Sequence, residues 1–169
     1  MNIVLIGMMG AGKTTIGEKL SKATGMQLVD TDQKIVEKHG KISDIFEKYG
    51  EERFRDIETE TVAEISKMDN RIVSTGGGCV LRKINSQFFQ KTGKIVFLRA
   101  KEETIYNRVG HTGDIRPLLK ENAREKISLL LKERTPIYES CSDFIIDTDN
   151  LSLDEVVNVI IEKFCLKRI

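Results

Sequence analysis

Short continuous apolar runs alternate with amphipathic segments along most of the chain. The runs predict five β-strands, at residues 2–6, 27–30, 71–74, 94–98 and 143–146. Most of them lack polar alternation, which is typical of parallel strands covered on both faces. The segments between them have helical spacing, from the first helix at 13–24 to a last helix that starts at Ser152. A third helical region, about 43–67, is interrupted at Gly50. This order predicts one α/β domain, a three-layer α/β/α sandwich around a five-stranded parallel sheet.

The first predicted strand leads directly into a glycine-rich sequence. Residues 7–14 read Gly-Met-Met-Gly-Ala-Gly-Lys-Thr and fit the pattern G-x-x-x-x-G-K-[ST] of a phosphate-binding loop at every fixed position. Such loops bind phosphate through backbone N–H groups at a helix N-terminus. The strand before and the helix after favour a nucleoside triphosphate site over a chance glycine-rich turn. We expect nucleotide contacts from Gly10, Ala11, Gly12, Lys13, Thr14 and Thr15.

Composition narrows the class of protein. The 169 residues suit a single domain, and 27 Lys plus Arg against 26 Asp plus Glu leave a formal net charge of +1. No overall field therefore indicates a nucleic-acid or membrane partner. Three scattered cysteines argue against a disulfide framework or zinc site and suit a reducing compartment. No apolar run approaches the roughly 20 residues that span a bilayer. We expect a cytoplasmic monomer without nucleic-acid or membrane partners.

Two carboxylates follow the second predicted strand. Asp30 and Asp32 lie at the carboxyl edge of the sheet, where open α/β folds bind ligands. One would hold Mg²⁺ through water while the other meets an acceptor hydroxyl. The alternative is that Asp32 simply caps the next helix, and the two interpretations are compatible.

Two other patterns have a structural and a functional interpretation. Glu51, Arg55 and Glu58 are four and three residues apart and share a helix face, as a solvated ladder of ion pairs or as part of a site. Three glycines, 76–78, follow the third strand. They form either a flexible turn or a place where another group approaches the backbone closely.

The stretch 109–121 lacks clear periodicity and contains two glycines and a proline. A loop of this length in a compact domain is usually functional and often forms a lid. It carries Arg116, and the following helix carries Arg134. Arginine suits forked contact with carboxylate or phosphate. Arg108, just before the stretch, is placed to cover an adenine ring.

In combination, these residues resemble the shikimate kinase family, small P-loop kinases of the nucleoside monophosphate kinase type. The resemblance spans nearly the whole chain. It rests on Asp30-Thr31-Asp32, the run 46–58, Gly76-Gly77-Gly78, Arg116-Pro117-Leu118-Leu119, and Arg134 with Pro136 and Tyr138. It implies transfer of the γ-phosphoryl group of ATP to the 3-hydroxyl of shikimate, in the chorismate pathway of aromatic amino-acid biosynthesis.

The resemblance also implies an acceptor site within and beyond a helical region at about 31–60. Arg55 and Arg134 would bind the shikimate carboxylate, with Glu58 orienting Arg55. Asp32 would hydrogen-bond ring hydroxyls, including the one phosphorylated. The implied substrate-binding set is Asp32, Arg55, Glu58, Gly77, Gly78 and Arg134.

For the phosphoryl donor, the resemblance implies that Asp30 supports Mg²⁺ through water together with Thr14. Arg116 would contact the phosphates when the lid closes. Lys13, Asp32 and Arg116 are the implied catalytic residues. The resemblance supplies no sharp counterpart for the loop that frames adenine.

Two other functions remain open from the residues. Gluconate or nucleoside monophosphate kinases share the loop and lid, but they need not place arginines corresponding to both Arg55 and Arg134. A nucleotide-dependent switch or inactive nucleotide-binding domain is the second. The chain has no Asn-Lys-x-Asp motif for reading guanine, and its acceptor residues are complete, which disfavours that interpretation.

Overall fold

The computed structural model describes residues 1–111 and 122–169. Its five strands form one parallel sheet in the order β2-β3-β1-β4-β5. Their bounds are Asn2–Ile6 (β1), Gln27–Asp30 (β2), Arg71–Ser74 (β3), Gly93–Arg99 (β4) and Phe144–Asp147 (β5). The predicted parallel sheet is confirmed, and the first three strands have the predicted bounds.

The last two strands differ from prediction by one residue at their ends. β4 is longer at both ends, and β5 begins at Phe144 rather than Asp143. Asp143 still bonds to Ile95 of β4 in both directions, since its backbone N–H donates to Ile95 O at 2.8 Å and its Oδ2 accepts from Ile95 N at 2.8 Å. A side-chain acceptor there takes the place of a strand carbonyl.

Seven helices surround the sheet in the described residues. They are Lys13–Thr24 (α1), Thr31–His39 (α2), Ile42–Ile65 (α3), Lys83–Thr92 (α4), Glu102–His111 (α5), Ala123–Cys141 (α6) and Leu153–Lys163 (α7), with a 3₁₀ turn at Cys79–Leu81. Gly50 interrupts α3 with φ 80° and ψ 175°, as predicted. Ser152 caps α7, and Glu155 completes the capping box.

The sheet is buried on both faces. Consecutive side chains of β1 enter different clusters, with Ile3 and Leu5 in one and Val4 and Ile6 in the other. Since successive strand residues point to opposite faces, the two clusters are the two faces of the sheet. One is completed by α1 and α7, and the other by α3, α4, α5 and α6. The predicted three-layer arrangement is confirmed.

A smaller apolar cluster lies apart from the sheet. Ile35 from α2 packs with Ile45, Phe54 and Ile57 from both parts of α3. This cluster joins the helices of region 31–60 into one unit, because residues on either side of the Gly50 break share it. Arg55 and Glu58 therefore lie on a helix that is held in place by this separate apolar cluster.

Val109 to His111, which the sequence placed in the aperiodic stretch, form the end of α5. The rest of the predicted lid, including Arg116, lies outside the described residues. Within residues 1–111 and 122–169, no helix is long and apolar enough to cross a membrane.

Candidate active site

The phosphate-binding loop connects β1 to α1. Gly10 and Gly12 have φ values of 75° and 90°, in the left-handed region that glycine adopts without strain. Gly12 is the residue before the first turn of α1. The Nζ of Lys13 donates to the carbonyl oxygens of Gly7 at 2.9 Å and Met8 at 2.8 Å. The ammonium group therefore lies across the loop that would hold phosphates.

Three oxygen-bearing side chains meet where α1 begins and β2 and β3 end. Thr14 Oγ1 donates to Asp30 Oδ2 at 3.2 Å and lies 3.1 Å from Ser74 Oγ. The other oxygen of Asp30 accepts from Asp32 N at 3.0 Å and Gln33 N at 3.2 Å. The cap of α2 is thus Asp30 and not Asp32, because the strand ends at Asp30 and the helix starts at the next residue. Asp30 joins the cap to the Thr14 hydroxyl.

These oxygens fit the way Mg²⁺ is usually bound in phosphoryl-transfer sites. Mg²⁺ prefers oxygen ligands and keeps several waters, so one hydroxyl and one carboxylate suffice beside nucleotide phosphates. Thr14 and Asp30 supply that pair. Across residues 1–111 and 122–169, no group of three or more His, Cys, Asp or Glu side chains could form an all-protein cage.

The ion pair of α3 is largely buried. Arg55 Nη1 donates to Glu58 Oε2 at 2.8 Å, and the Glu58 side chain is 2% exposed. Glu51 also pairs with Arg55, at 3.3 Å, but its side chain is 66% exposed. The solvated-ladder interpretation therefore fits Glu51 and is wrong for Glu58.

Burial and charge act in opposite directions on this pair. Burial raises the pKa of Glu58, the Arg55 charge opposes the rise, and the nearby charge of Asp32 adds to it. For Arg55, burial alone would lower the pKa, but the Glu58 and Glu51 carboxylates more than offset it and raise the pKa overall. Glu58 is therefore coupled by charge both to Arg55 and to Asp32.

The glycine run lets side chains of two helices contact its backbone. A Cβ on Gly76 would lie 2.6 Å from Asp32 Oδ1. A Cβ on Gly78 would lie 2.6 Å from both terminal nitrogens of Arg55. Real Cβ atoms do not come this close, so the close-approach interpretation is confirmed for Gly76 and Gly78.

Gly77 lies between the donor loop and the second arginine. Its hypothetical Cβ would be 3.4 Å from Met9 N in the phosphate loop and 3.5 Å from Arg134 Nη1 on α6. Among the described residues, neither Gly77 N nor Gly78 N donates a hydrogen bond. A ligand beside this segment would therefore find two backbone donors next to a guanidinium group.

A cavity of about 840 Å³ opens over these elements. Arg108 Nη1 donates to Gly10 O at 3.2 Å, which holds this arginine against the phosphate loop. Arg55, Glu58, Gly78 and Arg134 do not line the cavity but adjoin it through the glycine segment. The predicted residues that line it are Gly10, Gly12, Lys13, Thr14, Thr15, Asp30, Asp32, Gly77 and Arg108.

Comparison with known proteins places this chain in a family. The shikimate kinase family model matches residues 9–165. The chain belongs to the shikimate kinase family. It is 46% identical over 165 residues to the shikimate kinase of Thermodesulfovibrio yellowstonii, covering 96% of this chain and 94% of the relative. It is 40% identical over 168 residues to that of Caldicellulosiruptor bescii, covering 96% of both chains.

A solved shikimate kinase shares the fold. The enzyme from Acinetobacter baumannii, in complex with shikimate, superposes with a TM-score of 0.91 at 35% identity. The match covers 97% of this chain and 92% of that one. The predicted family, α/β fold class and kinase activity are thereby confirmed, while the roles of individual residues stay predictions.

Sequence reasoning left out three contacts of this shikimate kinase site. Ser74 adjoins the Thr14 hydroxyl, Thr31 Oγ1 accepts from Gly76 N at 3.0 Å, and Tyr138 donates to Gly77 O. Thr31 and Tyr138 are among the residues that carry the resemblance to the family, but the resemblance implied no role for either of them. Their positions in the sequence could have indicated a role, since Thr31 lies between Asp30 and Asp32 and Tyr138 lies four residues after Arg134.

Proposed function

We propose that this kinase transfers the γ-phosphoryl group of ATP to the 3-hydroxyl of shikimate, releasing ADP and shikimate 3-phosphate. The main support for this proposal is the position of Gly77, which has the phosphate loop on one side and Arg134 on the other. The shikimate bound to the Acinetobacter baumannii relative supports the choice of acceptor.

The acceptor would be held by charge at one end and by hydrogen bonds along its ring. Arg55 and Arg134 would bind the carboxylate, since planar guanidinium groups suit forked contact. Glu58 holds one terminal nitrogen of Arg55 and would thereby fix the plane of the guanidinium. Asp32 would accept from ring hydroxyls, including the 3-hydroxyl. The amides of Gly77 and Gly78 would donate to the acceptor.

The chemistry would be an in-line transfer through a loose transition state, which needs little early proton removal. Asp32 would first orient the 3-hydroxyl and only secondarily accept its proton. Lys13 and Arg116 would stabilise charge on the transferring group. Thr14 and Asp30 would hold Mg²⁺, which when bound neutralises phosphate charge.

The remaining parts of the proposal concern the surroundings of the reaction. Arg108 would cover the adenine ring. Residues 109–121 would act as a lid that excludes water, a competing acceptor that wastes ATP. We propose that the enzyme works as a cytoplasmic monomer, which size-exclusion chromatography with light scattering would test for the oligomeric state.

A coupled ATP-turnover assay with Mg²⁺ tests the acceptor. The reactions contain no acceptor, shikimate, gluconate or nucleoside monophosphates. We expect turnover with shikimate alone. Turnover with another acceptor but not with shikimate would support a kinase and contradict the proposed substrate. No turnover with any of the acceptors would favour a nucleotide-binding domain without this activity.

A further inference from the structure

The side chain of Tyr138 is buried beneath the acceptor site. It lies on α6, is 1% exposed, and its ring packs 5.0 Å from that of Phe97 between centroids. Its hydroxyl is not left without a partner in this apolar setting, because it donates to the carbonyl oxygen of Gly77. A phenylalanine would fill the same space, so packing alone does not account for the hydroxyl.

The same helix turn connects this hydroxyl to the acceptor arginine. Arg134 is four residues before Tyr138, so the two side chains share a face of α6. Burial raises the pKa of Tyr138 to about 12, and the charge and N–H donors of Arg134 oppose the rise. The phenol therefore keeps its proton at neutral pH and remains a donor to Gly77 beside the guanidinium.

A second buried hydroxyl holds the other side of the glycine segment. Thr31 is fully buried at the start of α2, and its Oγ1 accepts from Gly76 N at 3.0 Å. Gly76 N and Gly77 O are thus each bound by a side chain from a different helix. The first bond fixes the peptide plane before Gly76, and the second fixes the plane that carries the Gly78 N–H. Glycine backbone has wide conformational freedom, so these two bonds also restrict the Gly76–Gly77 peptide between them, which carries the Gly77 N–H.

We propose that Tyr138 is a positioning residue for the acceptor, with Thr31 as its counterpart. By fixing the Gly77 carbonyl, the Tyr138 hydroxyl fixes the peptide plane that carries the Gly78 N–H and turns that amide toward the acceptor, while its ring supports α6 beneath Arg134. This inference rests on the acceptor site proposed above. Its distinguishing consequence is a larger loss for the acceptor than for ATP, because in the described residues both hydroxyls hydrogen-bond to the glycine segment and not to the phosphate loop.

Tyr138→Phe tests the proposal in the full-length enzyme. The change keeps the ring and removes only the donor, leaving a buried carbonyl unpaired. We expect the KM for shikimate to rise about tenfold, the size of effect that loss of a buried hydrogen bond produces. The KM for ATP should stay within about twofold. Initial rates with each substrate varied in turn measure both constants.

Phe97→Leu is the matched packing control. It disturbs the ring contact of Tyr138 and leaves the hydroxyl in place. We expect a lower melting temperature with little change in the KM for shikimate. If this variant reproduces the kinetic loss of Tyr138→Phe, the effect is packing and the proposal is overturned.

Thr31→Val and Thr31→Ser provide an independent pair that decides the matter if Tyr138→Phe does not fold. The valine removes the acceptor for Gly76 N, and the serine retains it. We expect a raised shikimate KM for valine and near wild-type behaviour for serine. Unchanged or equally raised constants for both substrates would overturn the inference, while a wild-type enzyme inactive with shikimate would overturn the proposed function as well.

Discussion

The donor and acceptor sides of the proposed active site are built differently. The donor side is a contiguous sequence, residues 7–14, whose loop conformation depends on glycines at positive φ. The proposed acceptor side is assembled from the neighbouring helices α2 and α3, the glycine segment and α6, which together extend over more than half of the chain. A contiguous backbone motif is visible in a sequence, whereas an assembled set of side chains depends on the fold.

The two sides also differ in what keeps them in place. Lys13 is bound to carbonyl groups of its own loop. Arg55 is held by a buried carboxylate and by contact with a glycine backbone. Substitutions on the donor side should therefore change turnover, and substitutions on the acceptor side should change the use of one substrate.

The largest effect is expected on the donor side. Lys13→Ala should lower kcat about 10²- to 10³-fold, because in the proposed mechanism the lysine stabilises charge that develops on the transferring group. Steady-state rates at saturating ATP and shikimate measure the loss. Lys19→Ala on the same helix is the control, since its pair with Asp154 is exposed and such pairs contribute little. Turnover that survived in Lys13→Ala would contradict the role of the phosphate loop.

Arg134→Ala should produce the next largest effect, confined to the acceptor. We expect kcat/KM for shikimate to fall about 10- to 100-fold, the range for loss of charge-assisted hydrogen bonds. The dissociation constant for ATP, measured by calorimetry, should change little. Lys132→Ala, an exposed change on the same helix, is the control. Equal losses for both substrates would remove the distinction between the two sides.

Asp30 lies between the two sides, because it contacts Thr14 of the phosphate loop and caps α2 of the proposed acceptor side. Asp30→Asn should preserve the cap of α2, because asparagine caps as well as aspartate does. Loss of the charge should raise the Mg²⁺ concentration for half-maximal rate about tenfold, since Mg²⁺ favours carboxylate oxygen. A titration of rate against Mg²⁺, with the exposed change Asp44→Asn as control, measures it. An unchanged Mg²⁺ requirement would assign Asp30 to the cap alone.

The smallest effect concerns Glu58 and pH. Because its pKa in the folded protein is raised above the ordinary 4.5, the folded state holds this proton more tightly than the unfolded state. This tighter proton binding adds to the free energy of unfolding below pH 4.5, the ordinary pKa of a glutamate. The added stability is lost as pH rises through the pKa of Glu58 in the folded protein. Wild-type stability relative to Glu58→Gln should therefore decline from pH 4.5 towards neutrality.

Denaturant unfolding at several pH values measures this slope. Glu51→Gln is the control, because Glu51 pairs with the same arginine from an exposed position. If the wild-type free energy of unfolding instead rose with pH relative to that of Glu58→Gln, the predicted direction would be wrong.

The sequence predicted the elements and the position of the glycine-rich loop between β1 and α1 well, since apolar runs and glycine spacing are local properties. It could not decide whether the pair of Arg55 and Glu58 was buried, because helical spacing is the same on an exposed or covered face. It offered Asp32 as an alternative cap of α2, whereas the cap is Asp30, because the position of the cap depends on where β2 ends. The bond from Tyr138 to Gly77 joins residues 61 positions apart and follows only from the packing of α6 on the sheet.

The most direct test of the central claim is the identity of the product. Phosphorus and proton NMR of a reaction containing wild-type enzyme, ATP, Mg²⁺ and shikimate would locate the new phosphoester. We expect a single product with phosphorus coupled to the proton on carbon 3, formed in step with ADP. ADP with inorganic phosphate alone, or a phosphoester on another ring hydroxyl, would contradict the proposed meeting of donor and acceptor at the glycine segment.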